Sequence, residues 1–193
     1  MELRNFLTEV KIGNDEEIES ALNKALGLVF SPQYLSKIEK NILDRVTIVD
    51  DEDRNQNIVA WNIGTTIYVN KQVFYSKQKA DQIRFLLHEF SHVLMNKKSF
   101  LIQRQFKDLH DLSDRLYKIV AKTLTKPISV FLTSTNQNLP TKDKQEVISY
   151  LMNGKIDWNA ITKEGRIEFI KELKKSNIFN LQTNFWRNRL WFF

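Results

Sequence analysis

The chain has 193 residues, of which 42% are hydrophobic and 27% are charged. This length and composition predict a single globular domain and argue against a disordered or fibrous chain. Cysteine is absent, which excludes disulfides, a thiolate nucleophile and a cysteine-bound zinc ion. The net charge of +6 favours acidic partners, but the lysines are mixed with Asp and Glu, so a specific nucleic-acid partner is not expected.

The N-terminal sequence and the hydropathy predict a soluble, cytoplasmic protein. Residues 1–6 include an acidic residue and no long apolar run, which argues against a signal peptide. A membrane helix needs about 18 uncharged apolar residues in a row, and the sequence offers no such run. We therefore expect no membrane partner.

The hydrophobic pattern predicts strands in the first half of the chain and helices throughout. β-branched and aromatic residues predict three strands, of which the last two form an antiparallel hairpin around Gly64 or, as the alternative, one long bent strand. The predicted strands are 45–50, 58–63 and 65–70. Apolar residues that recur every three or four positions predict the helices. The predicted helices are 15–28, a weaker one after Pro32, about 79–95, 100–124, a short one ending near 153–154, and 162–175.

His88, Glu89 and His92 form the spacing H-E-x-x-H within the helix predicted at 79–95. Histidines four positions apart lie on one helical face, about 6 Å apart along the axis, so both imidazoles can bind one zinc ion. Glu89 lies about 100° further round the helix, away from the metal and beside the attacking water. We therefore expect Glu89 to be the general base of peptide-bond hydrolysis. The alternative is that both histidines merely pack on a partly buried helix.

The strand-like run 66–70, a loop and the helical run 82–95 resemble the ImmA/IrrE-type zinc peptidases, a gluzincin-like branch of the zincins. The resemblance implies a zincin-like α+β fold, with a small mixed or antiparallel sheet, an active-site helix and a mainly helical C-terminal half. It also implies that strand 66–70 is the edge strand, to which an extended peptide substrate is added. Ser91 stands where that family usually has glycine, and no helix-turn-helix module is evident.

Two histidines leave a catalytic zinc site incomplete, so a third ligand is needed from further along the chain. Met95 and Lys98 occupy the positions where the metzincin glycine and third histidine would fall. Glu146 is the first candidate, because it opens an apolar helix and the resemblance places a glutamate there, four positions before an aromatic residue, here Tyr150. His110 is the second candidate. The alternatives are an acid favoured by the helix dipole at 146 and an ordinary surface residue at 110.

Residues 184–193 are predicted to be a C-terminal docking tail that follows a single zincin-like domain at 1–183. The tail concentrates aromatic residues and arginines with little helical or strand alternation. Its large side chains are Phe185, Trp186, Arg187, Arg189, Trp191, Phe192 and Phe193. So much apolar area is seldom left in solvent, so we expect the tail to dock across the domain or onto a partner chain. The alternative is that it closes the hydrophobic core of its own chain.

The sequence favours a zinc-dependent metalloendopeptidase that acts on a protein or peptide substrate. In this interpretation Zn²⁺ is bound by His88, His92 and Glu146. The alternative is a structural or assembly component, for example of a phage virion, that is built on a zincin-like domain and docks through residues 184–193. A nucleic-acid-binding function is supported by the net charge alone, because no recognisable module accompanies it.

Overall fold

The computed structural model describes residues 11–12, 16–51, 58–133 and 144–190, which form a mixed α+β structure. The strands are β1 (Lys11–Ile12), β2 (Thr47–Asp51), β3 (Ala60–Ile63) and β4 (Thr66–Asn70). The helices are α1 (Glu16–Val29), α2 (Pro32–Asn41), α3 (Lys71–Tyr75), α4 (Lys79–Leu94), α5 (Phe100–Gln105), α6 (Lys107–Thr123), α7 (Ile128–Phe131), α8 (Glu146–Asn153), α9 (Lys163–Ser176) and α10 (Asn184–Leu190). Within these ranges, no helix is long and apolar enough to cross a membrane.

The four strands form one small mixed sheet in the order β1-β2-β4-β3. β2 pairs in parallel with β4, from Thr47 opposite Thr66 to Asp51 opposite Asn70. β3 pairs antiparallel with β4, and the chain turns between them at Gly64, whose φ of 65° suits a glycine. The predicted hairpin is confirmed, and the sheet is mixed rather than purely antiparallel.

The position of β4 corrects the expectation that strand 66–70 lies at the edge of the sheet. β4 lies between β2 and β3, so its backbone is paired on both sides, and among the described strands β1 and β3 lie at the edges. The cause is β2, which pairs with β4 along its whole length. Such a pairing between distant segments leaves no signal in the local periodicity of the sequence.

α4 packs against β3, β4, α1 and α8. Its apolar residues recur at helical spacing and are buried by these neighbours. The buried apolar residues are Leu86, Leu87, Phe90, Val93 and Leu94. The helix ends at Leu94, one residue before the predicted end, where the Met95 N–H donates to the Ser91 carbonyl and the Asn96 N–H donates to the Val93 carbonyl. Burial of the apolar face determines on which side of α4 the histidines lie.

The single helix predicted at 100–124 is two helices, α5 and α6, with a break at Phe106. Phe106 has a φ of −112° and a ψ of 29°, outside the α-helical region. Its side chain is fully buried and packs against the ring of Tyr34, with 6.2 Å between the ring centroids. No proline or glycine lies near the break, so the sequence pattern could not indicate it.

The helices predicted for the C-terminal half are confirmed as α8 and α9. α8 ends at Asn153 and is capped by Gly154, as predicted. α9 follows Thr162, whose hydroxyl accepts a hydrogen bond from the Gly165 N–H at 3.1 Å. α9 packs along α6, so these two helices form the main contact of the C-terminal half.

Residues 184–190 form a helix, α10, although the sequence shows little helical pattern there. Trp186 is fully buried, its Nε1 donates a hydrogen bond to the Val29 carbonyl at 2.8 Å, and its ring lies 4.9 Å from that of Phe179. This part of the tail therefore packs across α1 of the same chain, and Trp186 contributes to its core. The remaining tail residues, Trp191, Phe192 and Phe193, lie outside the described residues. Docking onto a partner chain stays a prediction.

Candidate metal centre

The candidate site lies where α4, which carries the H-E-x-x-H motif, packs beside the first turn of α8. Since the apolar face of α4 is turned to the core, His88, Glu89 and His92 lie on its partly exposed side. The side chains of His88, His92 and Glu146 are 16%, 17% and 15% exposed. The site is thus largely buried and still open to solvent.

The two imidazoles and the Glu146 carboxylate converge on one point. The Nε2 atoms of His88 and His92 are 3.3 Å apart. The carboxylate lies 3.8 Å from the Nε2 of His88, through Oε2, and 3.6 Å from that of His92, through Oε1. Metal–ligand bonds of about 2.0–2.2 Å in tetrahedral geometry place ligand atoms about 3.3–3.6 Å apart. The three side chains therefore lie close enough together to bind one metal ion.

Glu146, the first candidate for the third ligand, lies beside both imidazoles. His110, the second candidate, does not. His110 lies on α6 and lines a different pocket, together with Phe100, Arg104 and Lys107. Burial, followed by the charge of Lys97, lowers the pKa of the His110 imidazole. His110 is not part of the cluster that the two motif histidines form with Glu146.

The surroundings of His88 keep its imidazole neutral. Burial lowers the pKa of the His88 imidazole to about 3, and the neighbouring His92 lowers it in the same direction. The backbone of Ser149 acts on this pKa in the opposite sense but does not outweigh burial. An imidazole with so low a pKa is neutral near pH 7, so its nitrogen lone pair is available to a metal ion.

Glu89 combines partial burial with a perturbed pKa. Burial, and after it the charge of Glu146, raises the pKa of the Glu89 carboxyl to about 8. A carboxyl whose pKa lies near neutrality can both accept and return a proton, as a general base and acid requires. A cation bound beside Glu146 would favour the ionised form of Glu89 and oppose this shift.

Tyr150, which is not one of the predicted site residues, contacts the His88 ring. Its ring packs edge-on against the His88 ring, with 5.1 Å between the centroids and 82° between the planes. The sequence offers a signal for this contact, because Tyr150 lies one helical turn after Glu146 on α8. The contact restricts the orientation of the His88 imidazole.

A buried polar contact between α4 and α8 was not foreseen from the sequence. The hydroxyls of Ser91 and Ser149 are 2.6 Å apart, and both residues are fully buried. Ser91 also lies 2.7 Å from the His88 carbonyl, and Ser149 lies 3.2 Å from the Gln145 carbonyl. One turn away, the Gln145 side chain donates a hydrogen bond to the Met95 carbonyl. These side chains join the two helices that carry the candidate ligands.

The chain was compared with models of protein families, with curated proteins and with solved structures. None of the three comparisons found a match. The assignment of this site therefore depends on the motif and on the geometry of the described residues.

Proposed function

We propose that this protein is a zinc-dependent metalloendopeptidase with a zincin-like fold. His88, His92 and Glu146 would bind the metal, and Glu89 would be the general base. The observation that supports this proposal most strongly is the approach of the Glu146 carboxylate, from α8, to both imidazoles of the H-E-x-x-H motif on α4. A carboxylate from another helix is the third ligand that the motif lacked.

The donor set supports zinc as the metal. Two imidazoles and one carboxylate are a ligand set typical of catalytic zinc, and they leave a fourth position open. A bound zinc ion would supply a Lewis acid that polarises the scissile carbonyl and makes water nucleophilic near neutral pH. Neutral imidazoles, as the low pKa of His88 provides, are the form that binds the metal.

Proton transfer is assigned to Glu89. The residue follows His88 directly on α4, so its carboxylate lies at the side of the ligand cluster rather than within it. There Glu89 would take the proton of the attacking water and deliver it to the nitrogen of the departing amine. Partial burial strengthens the electrostatic interactions that accompany both transfers.

The edge of β3 that faces away from β4 is the surface that we propose for the peptide substrate. Among the strands that the structure describes, β3 is the last of the sheet on this side, and it packs against α4. The Asn70 N–H donates to the Val59 carbonyl, and hydrogen-bonded pairs alternate along antiparallel strands. The backbone groups of Ala60 and Asn62 therefore point away from β4. An extended peptide could pair with them and pass beside the candidate metal centre.

The proposal is tested by metal analysis together with a cleavage assay. The purified protein should contain one zinc per chain, and His88→Ala or His92→Ala should abolish it, because each removes a ligand. Glu89→Gln should retain zinc and lose hydrolysis of a fluorogenic peptide library, because an amide cannot accept the proton. Glu168→Gln, on the exposed side of α9, is the matched control and should cleave normally.

Two outcomes would contradict the proposal in different ways. A Glu89→Gln protein that cleaves as fast as the wild type would exclude Glu89 as the base. A wild-type protein that holds zinc and cleaves no peptide would favour the alternative of an assembly component built on a metal-binding domain.

A further inference from the structure

The contact between α4 and α8 contains two buried serines. Ser91 lies between the two histidines of the motif, and Ser149 lies three positions after Glu146. Both residues are fully buried. A buried hydroxyl is costly to keep unless it forms a hydrogen bond, so the partners of these two hydroxyls matter.

The hydroxyls form a short chain of hydrogen bonds across the helix contact. Each hydroxyl carries one hydrogen, so Ser91 can donate either to the His88 carbonyl at 2.7 Å or to Ser149 at 2.6 Å. In the first case Ser149 donates to Ser91, and in the second Ser149 donates to the Gln145 carbonyl at 3.2 Å. In both cases one hydrogen bond links the helices, and another ends at the backbone carbonyl of His88 or of Gln145, the residue before Glu146.

A second hydrogen bond joins α8 to α4 at the end of the same contact. Gln145, which directly precedes Glu146, is buried and donates a hydrogen bond from Nε2 to the Met95 carbonyl at the end of α4. The first turn of α8 is thus attached to α4 on both sides of Glu146. Apolar contacts alone would permit small shifts between the helices, whereas hydrogen bonds tolerate only a narrow range of distance and angle.

We propose that Ser91 and Ser149 are positioning residues that fix the separation of α4 and α8, so that the Glu146 carboxylate lies at ligand distance from His88 and His92. This inference depends on the metal site of the proposed function but not on hydrolysis. The ligand atoms lie 3.3–3.8 Å apart, so a shift of about 1 Å between the helices would move Glu146 out of range of a shared ion.

Alanine distinguishes positioning from simple close packing. If the serines were present only because they are small, Ser91→Ala and Ser149→Ala would preserve the contact, since alanine is no larger. If the hydroxyls fix the spacing, either substitution should weaken metal binding, because outer partners of metal ligands typically contribute 10–100-fold in affinity. The two variants should also not be additive, because each removes the same hydrogen bond.

The experiment measures the Zn²⁺ affinity of Ser91→Ala, Ser149→Ala and the double variant by competition with a chromophoric chelator. We expect about a tenfold loss in each single variant and about the same loss in the double variant. The visible absorption of the Co²⁺-substituted protein, which reports coordination geometry, should change in all three. Thermal unfolding in excess chelator measures the stability of the metal-free fold separately.

Thr123→Val is the control for loss of a hydroxyl. It removes a hydrogen bond to the Ile119 carbonyl on α6, away from α4 and α8, and should leave both metal readouts unchanged. Wild-type Zn²⁺ affinity in the serine variants, or additive losses in the double variant, would overturn the inference. So would failure of both single variants to fold in chelator, because the serines would then support folding in general. Absence of peptide cleavage by zinc-loaded wild type would contradict the proposed function alone.

Discussion

Replacing Trp186 with alanine should destabilise the protein strongly, because this side chain is part of the core. Trp186 is fully buried, and its ring contacts those of Phe179 and Phe185. Removing a buried tryptophan lowers the free energy of unfolding by about 3–5 kcal/mol. The lost hydrogen bond to the Val29 carbonyl adds little, since the Asn180 N–H also donates to that oxygen, at 3.0 Å.

Thermal and urea denaturation, followed by circular dichroism at a fixed zinc concentration, would measure this effect. In a chain of this length 1 kcal/mol changes the Tm by about 2–4 °C, so Trp186→Ala should lower the Tm by about 10 °C. Trp186→Phe keeps most of the apolar contact and should cost less. Arg187→Ala, at an exposed position of α10, is the control and should change stability by no more than about 0.5 kcal/mol.

A Trp186→Ala variant of unchanged stability would contradict the assignment of Trp186 to the core. If Trp186→Ala had the wild-type Tm and failed to enter a complex that the wild-type chain forms in size-exclusion chromatography, Trp186 would belong to a partner interface. The residue would then not be a core residue of the isolated chain.

Three further predictions concern the ligands, the substrate edge and the helix packing. Glu146→Ala should weaken Zn²⁺ binding at least about tenfold, and His110→Ala should leave it unchanged; the reverse result in chelator competition would exchange their roles. Asn62→Pro removes a backbone donor from the edge of β3 that faces away from β4 and should lower kcat/KM for peptides about tenfold at unchanged zinc content, whereas Asn62→Ala keeps the donor and should cleave normally. Gly165→Ala places a Cβ 2.3 Å from the Oγ1 of Thr123, so α6 and α9 must separate. We expect a loss of about 1–3 kcal/mol in urea denaturation, and an unchanged midpoint would contradict this close packing.

Local periodicity explains which parts of the fold were predictable. The apolar residues of α1, α4 and α9 recur at helical spacing, and the predicted helices match the observed ones to within one residue or two at each end. The hairpin around Gly64 was also predictable, because two β-rich runs lie on either side of a residue that tolerates a positive φ. In each case the signal lies within about twenty neighbouring residues.

Features that depend on distant partners were not predictable. The order of the strands follows from the pairing of β2 with β4, and the break at Phe106 follows from burial of its ring against Tyr34. The α10 helix is stabilised by the burial of Trp186 against α1, not by a helical pattern of its own. These outcomes depend on which surfaces meet, and local spacing does not carry that information.

The candidate site was predictable only where its residues are neighbours in the sequence. His88, Glu89 and His92 lie within one helical turn, so their spacing alone indicates shared chemistry. Glu146 comes from another helix, and the sequence could only rank it above His110. The link between Ser91 and Ser149 depends on how closely α4 approaches α8, which no motif describes.

The two helices that form the candidate site are far apart in sequence. Ser91 and Ser149 are separated by 58 positions, and the chain between them includes α5, α6 and α7. A cation held by α4 and α8 would close this long loop, in a chain that has no cysteine to form a covalent cross-link. Since only the folded chain brings the ligands together, free metal at 1,000 times Kd would add about 4 kcal/mol to stability. The supply of the cation would then control how long the protein resists degradation in the cell.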